Sequence, residues 1–472
     1  MTTSEQTPSM LELMDRRSVL HPFTHVSDYA AGQTPAPFIV RSGSGIRVRD
    51  ASGRELIDGF SGLYCVNVGY GQERIVSAMT EQARQMPFFH VFAGATHEPA
   101  IELAEKLLQI SGPSMKRVFF GLSGSDANET QVKLVWYTNN VRGFPKKKKI
   151  IARRRGYHGA TIMTGSLTGL PAYHQGFDLV TDVVRHTTAP DGFWSDGLGP
   201  EAFARKCADD LEKLILLEGP ETVGGFIAEP MIGAGGAVPP PAGYWAAIQE
   251  VLKRYDILLM IDEVVTGFGR VGYMLGSERW GIQPDLVTLA KGLTSGYAPL
   301  SAVLVGEKVW DALQLGAAKH GMFGHGFTYT AHPLGAAAAS ANIEIIENDN
   351  LCENARTVGE ALLASLKRRF EGEPLVGDVR GEGLFCAVEF IAEGTPQRHL
   401  PSSLKFAARV SALARDQQLL LSRTMPFGDI IGLAPPLILS KADAEEIVDR
   451  LYKAYRTALD ELTPAQRAGE VA

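Results

Sequence analysis

The chain has 472 residues, 45% hydrophobic and 21% charged, long enough for two or three domains and too apolar for a disordered chain. Lysine and arginine number 46 against 53 acidic residues, a formal net charge of −7, so no broad positive surface is offered to nucleic acid. No run of about 18 apolar residues is present to span a bilayer, and the N-terminus lacks the pattern of an export signal. A cytoplasmic protein with neither nucleic-acid nor membrane partners is expected, and four widely spaced cysteines without metal-ligand spacing agree with a reducing compartment.

Residues 1–33 form a polar arm with a short helical pattern over Met10–Arg17. Phe38, Val40, Ile46, Val48, Leu56 and Ile57 then alternate around two serine- and glycine-bearing turns, which predicts a small antiparallel meander. From about residue 71, short runs without polar alternation take over: Arg117–Phe120, Ile150–Ala152, Gly225–Ala228, Ile257–Ile261, Leu286–Ala290 and Ser301–Val305. Between them lie helical segments, including Asp126–Asn139, Glu201–Leu217 and Tyr244–Tyr255. Strands apolar on both faces and spaced by helices predict an α/β fold with a mainly parallel sheet. The basic run Lys146–Lys149 reads as the solvated end of a loop. Beyond Pro333 an alanine-rich helix runs to Asn348, extended segments cover Val376–Phe390 and Gln418–Pro436, and a last helix spans Lys441–Leu462. The expected organisation is an arm (1–33), a large domain (71–335) and a smaller α+β domain built from both ends (34–70 and 336–472).

Three motifs carry chemistry. Ser123-Gly124-Ser125-Asp126 follows a strand and opens a helix, where free N–H groups and the helix dipole favour a phosphate; the plainer alternative is an N-cap made by Ser125 or Asp126. Asp262 and Glu263 end a buried strand, the place where parallel sheets bind ligands, and a carboxylate there needs a cationic or hydrogen-bonding partner. Lys291 ends the next strand, and an amine in apolar surroundings loses its proton readily and becomes nucleophilic.

With Tyr157-His158-Gly159, Ala228-Glu229-Pro230, the run Asp262 to Arg270 and Gly326-Phe327-Thr328-Tyr329, these motifs resemble the class III aminotransferases, pyridoxal-phosphate enzymes of fold type I. The segment Gly62–Gly71 and Arg423 resemble the branch acting on ω-amino acids or amines and pyruvate. The resemblance implies that Lys291 holds pyridoxal 5'-phosphate as a Schiff base and shuttles the proton. It implies that Asp262 pairs with the ring nitrogen, Tyr157 and Val264 cover the ring faces, and Gly124 and Ser125 hold the phosphate with Thr328 of a neighbouring subunit. Tyr64, Phe92 and Ala234 would wall the substrate pocket, and Arg423 would pair with a substrate carboxylate as only a bidentate guanidinium can. Tyr64 departs from the tryptophan common in this branch, which makes the pocket larger or more polar. Glu229 would support the pocket, and His158 reads as a structural histidine. Two half-reactions in ping-pong order follow, from an amine or ω-amino acid to pyruvate, in a homodimer or homotetramer; an aminomutase or decarboxylase is the alternative on this scaffold. Thirty-one of the 50 glycines fall within residues 121–335, where even spreading would put about 23, consistent with backbone that turns tightly around a cofactor.

Overall fold

The computed structural model describes residues 9–424 and 428–470, with backbone alone for 422–424. At its centre is a seven-stranded sheet in the order Met115–Gly121, Ser301–Gly306, Leu286–Leu289, Leu258–Asp262, Val223–Ala228, Lys149–Arg153, Val184–Thr187. The five strands from Leu286–Leu289 to Val184–Thr187 are mutually parallel. Ser301–Gly306 is antiparallel to both neighbours, so the mainly parallel sheet stands with one reversed strand. Edge strand Val184–Thr187 escapes the sequence pattern: it is only four residues long, with Arg185 and His186 half-buried in its middle, and shows no apolar run.

The segments read as helical from the sequence form helices Gly124–Val141, Pro200–Glu218, Tyr244–Arg254 and Pro333–Asn348. The last buries Ala336, Ala338 and Ala339 completely as it packs on helices Glu73–Gln85 and Glu98–Ser111. Small side chains let the three backbones approach closely, and dense packing there is worth more than the modest area of each methyl suggests.

Two smaller sheets flank the large one. Val40–Ser44, Arg47–Asp50 and Glu55–Asp58 form the predicted meander, and Leu419–Leu420 joins it in parallel, with Leu419 opposite Ile57. Both ends of the chain therefore meet in one sheet. The other sheet is antiparallel and ordered Val376–Glu382, Phe385–Phe390, Ile430–Leu433, Ser422–Thr424. Among the described residues no disulfide joins the cysteines; Cys207 and Cys386 are buried thiols.

One guanidinium ties these parts to the centre. Arg270 is fully buried and donates to Ser61 Oγ at 3.3 Å, Asn67 Oδ1 at 2.8 Å, Leu384 O at 3.1 Å and Pro435 O. Burial pulls its pKa down to about 10, so it stays charged near neutrality, and its four acceptors replace the water it has lost. Asn67 also donates to Phe268 O at 2.8 Å, which fixes the 61–67 segment over the loop that follows Asp262.

The basic run at 146–149 is not a solvated loop end. Lys147 is buried and its Nζ donates to Tyr255 O at 2.8 Å and Asp256 O at 2.7 Å, closing the C-terminal end of helix Tyr244–Arg254, where a cation is favoured. Lys149 reaches Glu218 Oε2 at 2.7 Å. A charge run is legible in sequence, whereas the carbonyls that collect it come from distant turns. Replacing Lys147 by methionine would strand those two carbonyls. A stability loss of about 2 kcal/mol is expected, measured as a lower urea midpoint at unchanged slope.

Candidate active site

At the C-terminal ends of the parallel strands lies a cavity of about 150 Å³. Of the residues singled out in the sequence, Gly124, Ser125, Tyr157, Ala234, Asp262, Val264 and Lys291 line it, together with Asn128, His158, Gly159, Glu229 and Val265. Residues as distant in the chain as Gly124 and Lys291 meet because the strands before them, Met115–Gly121 and Leu286–Leu289, run in the same direction on either side of the reversed Ser301–Gly306 and end at one edge of the sheet.

Helix Gly124–Val141 begins at the cavity. Its cap is Ser123, whose Oγ accepts from Asp126 N at 3.2 Å while the Asp126 carboxylate accepts from Ser123 N at 3.1 Å. The cap is therefore made two residues before Ser125, with Asp126 as its reciprocal partner. Asp126 also takes Leu122 N and Ser301 Oγ, both at 2.9 Å, so it is held away from the cavity. The next N–H groups, those of Gly124 and Ser125, have no acceptor within the helix. Ser125 Oγ accepts from Ala160 N at 3.2 Å, and its proton is free to donate. Close approach explains two glycines here. A Cβ on Gly124 would sit 3.0 Å from Val264 Cγ2, and Gly159, at φ +135°, would press one to 2.6 Å from Ser125 Oγ.

Asp262 closes the opposite side. It is 3% exposed; Oδ1 accepts from Val264 N at 3.0 Å, and Oδ2 accepts from Asn128 Nδ2 at 2.7 Å and lies 2.9 Å from His158 Nδ1. Glu263, next in sequence, points to the other face of the strand. There it accepts from Thr266 Oγ1, Gly276 N, Ser277 N and Ser277 Oγ, and burial raises its pKa. Of the paired carboxylates, only Asp262 serves the cavity.

Lys291 follows the adjacent strand, whose Thr288 pairs with Asp262, and its backbone is left-handed at φ 47°. That conformation is costly for a residue with a Cβ and recurs at functional positions. Burial holds its amine below the ordinary lysine value, which favours the neutral, nucleophilic form. The Tyr64 ring lies 5.3 Å from Nζ and is itself buried edge-on against Phe60 and Phe385, at 4.4 and 5.4 Å. Tyr157 packs edge-on to Tyr173 at 5.5 Å. Glu229 is buried, with Oε1 accepting from Gly233 N at 3.0 Å, and burial raises its pKa.

Four candidates do not line this cavity: Tyr64, although its ring lies 5.3 Å from Lys291 Nζ, and three others. Phe92 is 44% exposed and lines a separate groove of about 610 Å³ with Ile101, Phe119, Phe323 and Gly326. Thr328 is exposed in the adjoining loop. Arg423 pairs through its backbone with Ile431, and its side chain lies outside the described residues. Asn128 is a site residue that sequence reasoning misses. The signal is available: it lies one turn after Gly124, on the face of the helix that the cavity buries.

This donor set suits a phosphorylated, protonated aromatic ring bearing an aldehyde. Free helix N–H groups and a hydroxyl stand at one end and a buried carboxylate at another, with an amine that burial holds below its ordinary pKa. Comparison with known proteins points the same way. The family model described as aminotransferase class-III matches residues 28–455. The diaminobutyrate–2-oxoglutarate transaminase of Halomonas elongata is 49% identical over 453 residues, covering 95% of this chain and 96% of that one. A structure from the directed evolution of transaminases by ancestral reconstruction is 51% identical, with a TM-score of 0.94, covering 96% and 99% of the two chains. The ω-transaminase of Pseudomonas jessenii in complex with PMP is 39% identical, with a TM-score of 0.90, covering 98% and 100%.

Proposed function

The chain belongs to the class III aminotransferase family of pyridoxal-phosphate-dependent transaminases, and we propose that it moves amino groups from an ω-amino acid or primary amine to pyruvate. The observation that carries this reading is a cavity lined by both the Lys291 amine and the Asp262 carboxylate, with Ala234, Val264 and Val265 offering apolar walls and the Tyr64 ring 5.3 Å from Lys291 Nζ. When bound, pyridoxal phosphate supplies an aldehyde for the amine and a ring that takes up electrons from the substrate carbon. Gly124 and Ser125 would hold its phosphate through N–H groups and a hydroxyl, and Asp262 would keep its ring nitrogen protonated. Tyr157 and Val264 would orient the ring by covering its faces. Lys291 Nζ, its pKa lowered by burial, would take the proton from the amine-bearing carbon and return it on the acceptor side.

Phe92 and Thr328 stand outside this chain's cavity on a surface that also exposes Ile101, Phe323 and Tyr329. An apolar patch of this kind suits a protein interface. We propose a homodimer in which Phe92 and Thr328 of one protomer complete the cavity of the other.

The test is product analysis. Purified enzyme given β-alanine, taurine, diamines or arylalkylamines should form alanine from pyruvate. Carbon dioxide or an isomerised amine without alanine would overturn the reading. A second acceptor, 2-oxoglutarate, is favoured by the name of the Halomonas relative, and glutamate formation in place of alanine would establish it. Arg423→Ala should weaken pyruvate at least about tenfold, the worth of a charge-assisted bidentate pair, and leave a neutral aldehyde acceptor nearly unchanged. Equal losses on both would remove its carboxylate role.

A further inference from the structure

Three buried polar atoms of cavity-lining residues have no hydrogen-bond partner among the described residues: Asn128 Oδ1, and two that share a neighbour, His158 Nε2 and Glu229 Oε2. Both flank Gly156, where a Cβ would stand 3.1 Å from Nε2 and 3.4 Å from Oε2. They face the same glycine-sized gap, which one water or a turn of the carboxyl group can bridge. The other imidazole nitrogen is committed, with Nδ1 2.9 Å from Asp262 Oδ2. Since that oxygen belongs to a carboxylate, Nδ1 carries a proton. A second proton on Nε2, directed at Glu229, would satisfy both orphaned atoms at once.

We propose that His158 is a positioning residue that links Glu229 to Asp262, holding a proton between the two carboxylates across the gap at Gly156. Glu229 lines the cavity with Ala234, on the substrate side, so its charge then sets how firmly Asp262 holds the ring-nitrogen proton. The other ionisable groups near this chain of three are Arg153, whose Nη2 is 3.6 Å from Glu229 Oε2, Lys291, which feels both carboxylates, Tyr157, which feels Asp262, and His186 beside His158. Arg153 balances one of the two negative charges. The imidazolium balances the other, so neither carboxylate is left as an uncompensated buried charge.

The inference rests on the reading of Asp262 as the ring-nitrogen partner, and a double-mutant cycle separates the two. The readouts are the pH midpoint of the visible absorbance of the cofactor-loaded enzyme and the dissociation constant of pyridoxal phosphate. In the parent enzyme, Glu229→Gln removes a negative charge and should lower the midpoint by roughly half a pH unit or more. In a His158→Asn background the same change should move it by no more than about a tenth of a unit. Gly156→Ala, which inserts a methyl group into the gap and touches neither partner chemically, should uncouple the pair in the same way and serves if His158→Asn does not fold. A Glu229→Gln shift that persists undiminished in both backgrounds, or is absent from the parent, overturns the proposal. If Asp262→Asn leaves midpoint and cofactor affinity unchanged, the reading of Asp262 fails; if it changes both while Glu229 shows no coupling, only the link through His158 fails.

Discussion

Lys291→Ala is expected to lower transamination by about 10³-fold or more, the scale on which a positioned acid–base group contributes. Lys291 carries the one amine among the described residues that line the cavity. Two other proton carriers there are less suited. His158 Nδ1 is held by Asp262, and burial pushes the Tyr157 hydroxyl pKa up, further from neutrality. Single-turnover kinetics of the purified variant, with cofactor content fixed by its absorbance, measure the effect. A yellow, fully active Lys291→Ala enzyme would remove the lysine from its role. Alanine also relieves none of the left-handed backbone at this position, so stability should change little and the loss can be assigned to chemistry.

Asp262→Asn should be the next most severe change. The carboxylate uses Oδ1 for the Val264 N–H and Oδ2 for Asn128 and His158. An asparagine has one oxygen to offer: turned toward Asn128 and His158, it sets its NH2 against the Val264 N–H, and turned the other way it faces two donors. Removing one member of a buried ion pair costs about 3–5 kcal/mol, and the partner here would be the protonated ring nitrogen. A fall in kcat of roughly 10²- to 5 × 10³-fold is expected by that conversion, together with weaker cofactor binding by equilibrium dialysis. Unchanged affinity and rate would mean that the ring nitrogen finds its proton elsewhere. Unlike Lys291→Ala, this change should also shift the absorbance of the loaded enzyme, because it acts on the ring itself.

Much of the fold was legible because it depends on local pattern. Apolar runs such as Leu258–Ile261 and Val223–Ala228 are buried along their whole length, and their short length and β-branched content between helix-length segments mark them as covered strands. The direction of Ser301–Gly306 was not legible, since a buried strand reads the same whichever way it runs. Only its pairing with Met115–Gly121 and Leu286–Leu289 decides that. Lys147 illustrates the same limit on the polar side, where a lysine in a basic run is exposed or buried according to the carbonyls that distant turns place beside it.

For the site, sequence by itself determined which chemical groups were present and in what local frame: a glycine and a serine opening a helix, a carboxylate and a lysine each ending a strand. These depend on residue type and near neighbours, which is where caps, turns and strand ends are decided. Tertiary structure decided which groups meet. Asp262 and Glu263 are adjacent and chemically alike, yet alternation along a strand sends one into the cavity and the other among the donors of residues 266–277. Tyr64 reaches Lys291 only because Arg270 and Asn67 pin its segment over the Asp262 loop. Phe92 and Thr328, by contrast, lie outside the cavity of their own chain, whatever their residue types suggest. Long-range packing supplies those meetings, and no window of sequence contains it.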